Sequence, residues 1–192
     1  SRGLGDVYKR QYLYKGDADS KAKALTYARE VVESGYFKLQ EDNSNPVLFG
    51  EHIFGLNVYE LDKLLEEGGK YKTQIPAGQL SESYYIMRTK ENFEEQFEIG
   101  SRGIYDIRAN TDAFKNVSGD GDKRYKLCLK YDQSKYTSNS SKYAGKDVLP
   151  LIRLPEMYYI IAECETDKEK SAEGLNTVMW ARRIAYDDGV IA

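Results

Sequence analysis

The chain has 192 residues, 41% of them hydrophobic and 31% charged, with a net charge of −3. That composition describes a globular protein rather than a disordered one, and the length suffices for one sizeable core. A pI near 5.4 leaves no basic footprint for nucleic acid, and no run of 18 apolar residues is present to span a bilayer as a helix. The unusual count is 17 Tyr against six Phe and one Trp. Tyrosine pairs an apolar ring with a hydrogen-bonding tip, so exposed tyrosines suit polar ligands with flat apolar faces, sugars among them, while tyrosines in helix seams simply pack.

The opening run "SRGLGDVYKRQ" has neither hydrophobic periodicity nor a signal-peptide core, and residues 1–11 read as a non-native leader. Residues 12–192 are expected to be a fragment of a single domain. The first periodic segment follows. Asp19 or Ser20 is a candidate cap for a helix over 21–34, with Gly35 at the left-handed stop position. Ala24, Leu25, Ala28, Val31 and Val32 form its apolar stripe.

Downstream the signals weaken. "EHIFGLNVYE" (51–60) reads as a short extended segment, and "ELDKLLEEGG" (60–69) as a brief helix closed by two glycines. "SYYIMR" (83–88) reads as extended, and 89–100 as a short helix with Phe93 and Phe97 one turn apart. The Gly-, Asp- and Asn-rich stretch 101–122 reads as irregular. "KRYKLCLKYD" (123–132) alternates and is the best strand candidate; 133–146 is a polar loop.

Residues 151–167, "LIRLPEMYYIIAECETD", form the most apolar stretch. Pro155 suits the first helical position and Glu156 the positive end of the helix dipole. Apolar side chains cover most of this helix's circumference, so it is expected to be buried between neighbours. A second helix over 169–186 carries Ala172, Leu175, Val178, Met179, Arg182 and Ala185 at packing intervals. The two make an antiparallel hairpin over 155–186, about the length of one tetratricopeptide repeat. Trp180, in the second helix, reads as packing.

At these residues the chain resembles the SusD/RagB family of outer-membrane nutrient-binding lipoproteins. "IRLPEMYYIIAECE" followed by "GLNTVMWARRIA" is similar to that family's hairpin signature, carried here by Arg153, Glu156, Glu163, Asn176 and Arg182. "ALTYAREVVESGYFKL", "GEHIFGLNVY" and "GDKRYKLCLKY" resemble three further family segments, in the family's order. Pro155 replaces the usual small residue before Glu, and Arg183 stands where a glycine often occurs. The resemblance implies a mainly α fold of tetratricopeptide-like helix pairs, an αα-superhelix with long irregular loops (40–150) and a few short strands. It also implies a lipid-anchored protein on the extracellular face of the outer membrane, partnering a SusC-like TonB-dependent transporter. Such proteins capture oligosaccharides or peptides without cleaving them, use no cofactor, and have no nucleic-acid partner.

No catalytic constellation stands out. His52 has no His or Cys partner in sequence, and Cys128 and Cys164 show no metal spacing. Cys164 reads as a small buried hydrophobe, and Cys128 fits either face of its strand. Asp106-x-Arg108 and Asp122-x-Arg124 read as loop-bracing pairs, and Arg153 and Glu163 as structural hydrogen-bonding or ion-pairing groups. The candidate ligand contacts are loop tyrosines: Tyr71, Tyr84, Tyr85, Tyr105, Tyr136 and Tyr143. The alternative is a tetratricopeptide-type adaptor that binds protein alone; it predicts helix pairs at a steady period, which the irregular stretch between the first helix and the hairpin opposes.

Overall fold

A computed structural model describes residues 10–41, 47–61, 87–99, 104–109, 114–118, 124–128 and 145–185. The chain divides into two compact units. The first comprises Ser1–Gln40, Gly50–Leu56 and Leu149–Ala181; the second comprises Glu41–Phe49, Asn57–Val148 and Arg182–Ala192. The described residues are partly helical and carry three small sheets.

The first unit is built on helices. After a short helical stretch at 10–15, α1 spans Ala18–Glu33. It starts three residues before the expected position because Asp17, not Asp19 or Ser20, is the cap. Its carboxylate accepts the Ser20 N–H at 2.9 Å and the Ser20 hydroxyl at 2.8 Å. Gly35, at φ +66°, closes the helix as expected, with its N–H donating to the Val32 carbonyl.

Helix α3 spans Leu154–Cys164 and α4 spans Lys168–Arg182; α2 (Lys90–Gln96) belongs to the second unit. Arg153 is the cap of α3, so Pro155 occupies the second helical position rather than the first, where a missing N–H is equally harmless. The Glu156 carboxylate accepts the Arg153 N–H at 3.1 Å. Met157, Leu154, Ile160 and Cys164 of α3 pack with Ala24 and Ala28 of α1 and with Ile152. The small alanines let α1 come close to the bulky face of α3. The Arg29–Glu165 ion pair links the last turns of α1 and the end of α3.

The hairpin of α3 and α4 is present and antiparallel. Ser171 Oγ donates to the Ala162 carbonyl at 2.6 Å, and Gly174, a turn further along α4, lies against Tyr158, a turn further back along α3. A methyl group on Gly174 would sit 3.1 Å from the Tyr158 carbonyl oxygen, so glycine sets the distance of closest approach. As its pattern predicts, α3 is buried or half-buried over most of its circumference, and only Tyr159 and Glu163, on its narrow polar strip, are exposed. A two-stranded sheet of β1 (His52–Asn57) and β6 (Val148–Arg153) leads into α3, with Ile53 and Ile152 facing the core.

The second unit is built on short strands. β2 (Met87–Thr89), β4 (Phe114–Ser118) and β5 (Arg124–Cys128) form an antiparallel sheet in the order β2-β5-β4, with Met87 opposite Leu127 and Phe114 opposite Cys128. Helix α2 (Lys90–Gln96) follows β2 directly. The expected strand near 123–132 is therefore found, whereas the expected irregularity of 101–122 is corrected: β4 and β3 (Ile104–Asp106) lie within it. β3 pairs antiparallel with β7 (Arg183–Ala185), Tyr105 opposite Ile184. The same pairing ends α4 at Arg182, short of the expected 186, because residues 183–185 give their backbone groups to β3 rather than to the helix. Of the helix expected over 60–69, Glu60 is a turn residue, Leu61 is helical and 62–69 lie outside the described residues.

Phe93, Phe97 and Phe114 form a three-ring cluster, with the centroids of Phe93 and Phe97 4.8 Å apart and those of Phe93 and Phe114 4.9 Å apart, the latter edge to face. Lys126 Nζ lies 4.9 Å from the centre of the Phe93 ring and the Arg108 guanidinium 5.5 Å from that of Phe97. The expected i, i+4 pair of phenylalanines on α2 is thus the core of this unit, joined by a strand residue the sequence pattern did not single out.

Candidate functional site

Of the tyrosines singled out as ligand contacts, Tyr71, Tyr84, Tyr85, Tyr136 and Tyr143 lie outside the described residues. Tyr105 is described by its backbone alone, which is a strand position and not the irregular one expected. Trp180 is 52% exposed, which corrects its assignment to packing. With Leu175 and Met179 it gives α4 an exposed apolar side.

The signature residues of the hairpin have structural surroundings. Glu156 binds the Arg153 N–H with Oε1 and the Arg10 guanidinium with Oε2, where Nε donates at 2.9 Å. Arg10 also donates to the Leu151 carbonyl at 2.6 Å; it lies in the segment set aside as a leader. Arg153 and Asn176 are half-buried, Glu163 is exposed, and Arg182 is buried at the end of α4 with its carbonyl accepting the Ile107 N–H at 2.7 Å. The last-turn arginine also suits the negative end of the helix dipole.

Asp106 and Arg108 form the loop brace expected of them. Arg108 Nε donates to Asp106 Oδ1 at 2.9 Å and Nη2 to Oδ2 at 2.6 Å, while the Arg108 backbone N–H also donates to Oδ1. The carboxylate is 2% exposed and two-pronged pairing compensates its burial. Asp122 lies outside the described residues. Glu51 is a second buried carboxylate, accepting the Gln40 N–H at 2.8 Å. Burial pushes the Cys164 thiol up, Glu163 adds to the shift and Lys21 opposes it, so the thiolate needed for nucleophilic or metal chemistry is disfavoured. Burial likewise pushes the Tyr158 hydroxyl up. Among the described residues no group of three or more His, Cys, Asp or Glu could hold a metal ion.

The most constrained backbone in the second unit surrounds Tyr59, which the sequence pattern did not single out. Apart from Glu98 (+51°), just after α2, the left-handed φ values among this unit's described residues occur at Leu48 (+54°), Glu60 (+50°), Gly145 (+103°) and Asp147 (+58°). These positions converge. The Val58 N–H donates to the Asp147 carbonyl at 2.8 Å, the Leu61 N–H donates to Asp147 Oδ1 at 3.1 Å, and Gly145 lies against the Phe49 ring. The pinned turn holds Tyr59 out with its side chain 86% exposed, between two anchored neighbours. The signal available in the sequence is the apolar–Tyr–acidic junction "NVYELD", which by pattern alone is a strand end meeting a helix start.

No family model, no curated protein and no solved structure matches the chain. No helix among the described residues is long and apolar enough to cross a membrane.

Proposed function

We propose that the chain is part of a SusD/RagB-like surface lipoprotein that binds oligosaccharide nutrients without cleaving them and delivers them to a SusC-like TonB-dependent transporter in the outer membrane. The observation that carries this reading is the ordered set of motif segments, running from "ALTYAREVVESGYFKL" through "GEHIFGLNVY" and "GDKRYKLCLKY" to the hairpin. These stretches contain α1, β1, β5 and the α3–α4 pair in turn. An antiparallel α3–α4 hairpin with α1 against α3 is the local arrangement that a tetratricopeptide-like superhelix requires. The high tyrosine content supports ligands with apolar faces and many hydroxyls.

One observation favours the adaptor reading. The exposed Leu175, Met179 and Trp180 on α4 suit contact with another protein surface rather than with a sugar. The two readings separate in one experiment. Calorimetry of the longer parent protein against neutral oligosaccharides and short peptides is run alongside purification from cells that also produce the SusC-like transporter, a TonB-dependent barrel. Saturable oligosaccharide binding with the barrel co-purifying is the expected result. Protein binding without any oligosaccharide uptake would favour the adaptor. Glycan turnover that a single Glu or Asp substitution abolishes would overturn the non-catalytic reading.

A further inference from the structure

We infer that the Tyr59 turn is a carbohydrate-stacking contact, Tyr59 not being among the tyrosines named above; the inference rests on the glycan-binding reading and assigns it a residue. An exposed tyrosine by itself means little, because single apolar side chains on a surface are ordinary. What sets Tyr59 apart is the backbone that presents it. Glu60 and Asp147 both hold left-handed conformations that residues with side chains rarely adopt, and Leu48 does so on the adjoining segment. Asp147 ties down both flanks of the turn, through its carbonyl to Val58 and through its carboxylate to Leu61, and Leu61 is fully buried as an anchor.

Gly145 completes the brace. A methyl group there would fall 2.7 Å from the Phe49 ring, so glycine alone fits. Three separate segments therefore accept unfavourable dihedral angles, and the ring they position makes almost no contact with the fold. Burial of Leu48 and Leu61 and the two Asp147 hydrogen bonds hold these angles, so the backbone that carries the ring is fixed in advance and spares the ordering entropy that a mobile loop loses on binding.

The surroundings indicate the ligand's chemistry. Asn57 and Lys146 are exposed on the same paired segments and offer an amide and an ammonium for hydrogen bonding, and the exposed Glu60 adds a negative charge to the turn. The two charges oppose each other, so the site favours a neutral ligand over an anion. A sugar ring meets these requirements, with a C–H face for Tyr59 and hydroxyls for the polar groups.

The test titrates the chain calorimetrically with maltohexaose, xylohexaose and cellohexaose, using Tyr59→Ala, Tyr59→Phe, Asp147→Ala and Asp147→Asn. Tyr59→Ala is expected to weaken binding roughly tenfold, the loss of one stacking contact, with an unchanged circular dichroism spectrum. Tyr59→Phe keeps the ring and retains most of the affinity. Asp147→Ala weakens binding although the tyrosine remains, and Asp147→Asn restores it, because Asn tolerates the left-handed region and still accepts the Leu61 N–H. Wild-type affinity in Tyr59→Ala overturns the inference while leaving the glycan-binding reading intact. Absence of binding by the unsubstituted chain to all three sugars overturns the inference, and absence of oligosaccharide binding by the longer parent as well overturns the glycan-binding reading. If Tyr59→Ala loses only transporter co-purification, the turn is a protein contact and the inference is wrong.

Discussion

The two units reach stability by different routes. In the first, helices with a plain apolar stripe meet over alanines, and the buried side chains are mostly small or aliphatic: Ala24, Ala28, Ile152, Leu154, Met157, Ile160 and Cys164. Each helix has a cap or stop encoded within a few residues, as at Asp17, Gly35 and Glu156. In the second, short strands surround a three-phenylalanine cluster flanked by Lys126 and Arg108, and left-handed residues hold the turns. Local periodicity builds the first unit. Distant pairing and one aromatic cluster build the second, so the strained geometry a binding site can use is concentrated there.

The largest expected effects test whether that difference is also one of cooperativity. Phe93 is 1% exposed and touches both other rings, so Phe93→Ala is expected to cost about 3–5 kcal/mol. Met157 is fully buried at the α1–α3 contact, and Met157→Ala is expected to cost about 2–5 kcal/mol. Hydrogen exchange read segment by segment checks both. Phe93→Ala should accelerate exchange in β2, β4 and β5 while α1 and α3 stay protected, and Met157→Ala should do the converse. Equal acceleration everywhere in either variant would mean that the chain unfolds as one unit and that the two routes are not energetically separate.

A smaller effect probes the hairpin. At Gly174 alanine brings a methyl group 3.1 Å from the Tyr158 carbonyl, a repulsion that a shift of a few tenths of an ångström relieves. Against this stands the higher helix propensity of alanine, worth about 1 kcal/mol. Gly174→Ala is therefore expected to be close to neutral in urea unfolding, while Gly174→Leu, which cannot be relieved so cheaply, loses about 1–3 kcal/mol. A Leu variant as stable as the parent would show that α4 does not pack on α3 at Gly174.

The same contrast explains which features were legible from residues alone. Helix α1, its glycine stop, the hairpin, the Phe93–Phe97 pair and the β5 strand all announce themselves within one or two turns of chain. Strand β3 does not, because Ile104–Asp106 is a strand only by virtue of Arg183–Ala185, which lies far along the sequence. Those three partner residues carry a helical pattern that pairing overrides. The Asp17 cap lies two or three residues before the positions the pattern favours because Asp17, Asp19 and Ser20 are all competent caps; the choice falls to the residue whose carboxylate reaches the Ser20 N–H. Of the candidate site, residue chemistry directed attention to tyrosines in polar stretches, most of which lie outside the described residues. Tyr59 escaped notice because its distinction is the left-handed backbone around it, which two non-glycine residues, Glu60 and Asp147, gave no reason to expect.

The smallest effect concerns that cap and has a definite sign with pH. The Ser20 backbone N–H, then its hydroxyl, then the Lys15 ammonium hold the Asp17 carboxyl below its ordinary value of 3.8. A carboxyl depressed in the folded state binds its proton more weakly there than in the unfolded chain. Its contribution is thus complete above the unfolded value and fades as pH falls through the folded one. The carboxylate also sits at the positive end of the α1 dipole, where negative charge is favoured. Asp17→Asn keeps an acceptor for the Ser20 N–H but never carries charge. The thermal midpoint of the parent should therefore exceed that of the Asn variant near pH 6, and the two should converge toward pH 3, in low salt more clearly than in high. A constant gap across that range would mean that the cap acts through hydrogen-bond geometry alone. In that case the helices of the first unit would depend on charge as little as the aromatic cluster of the second depends on caps.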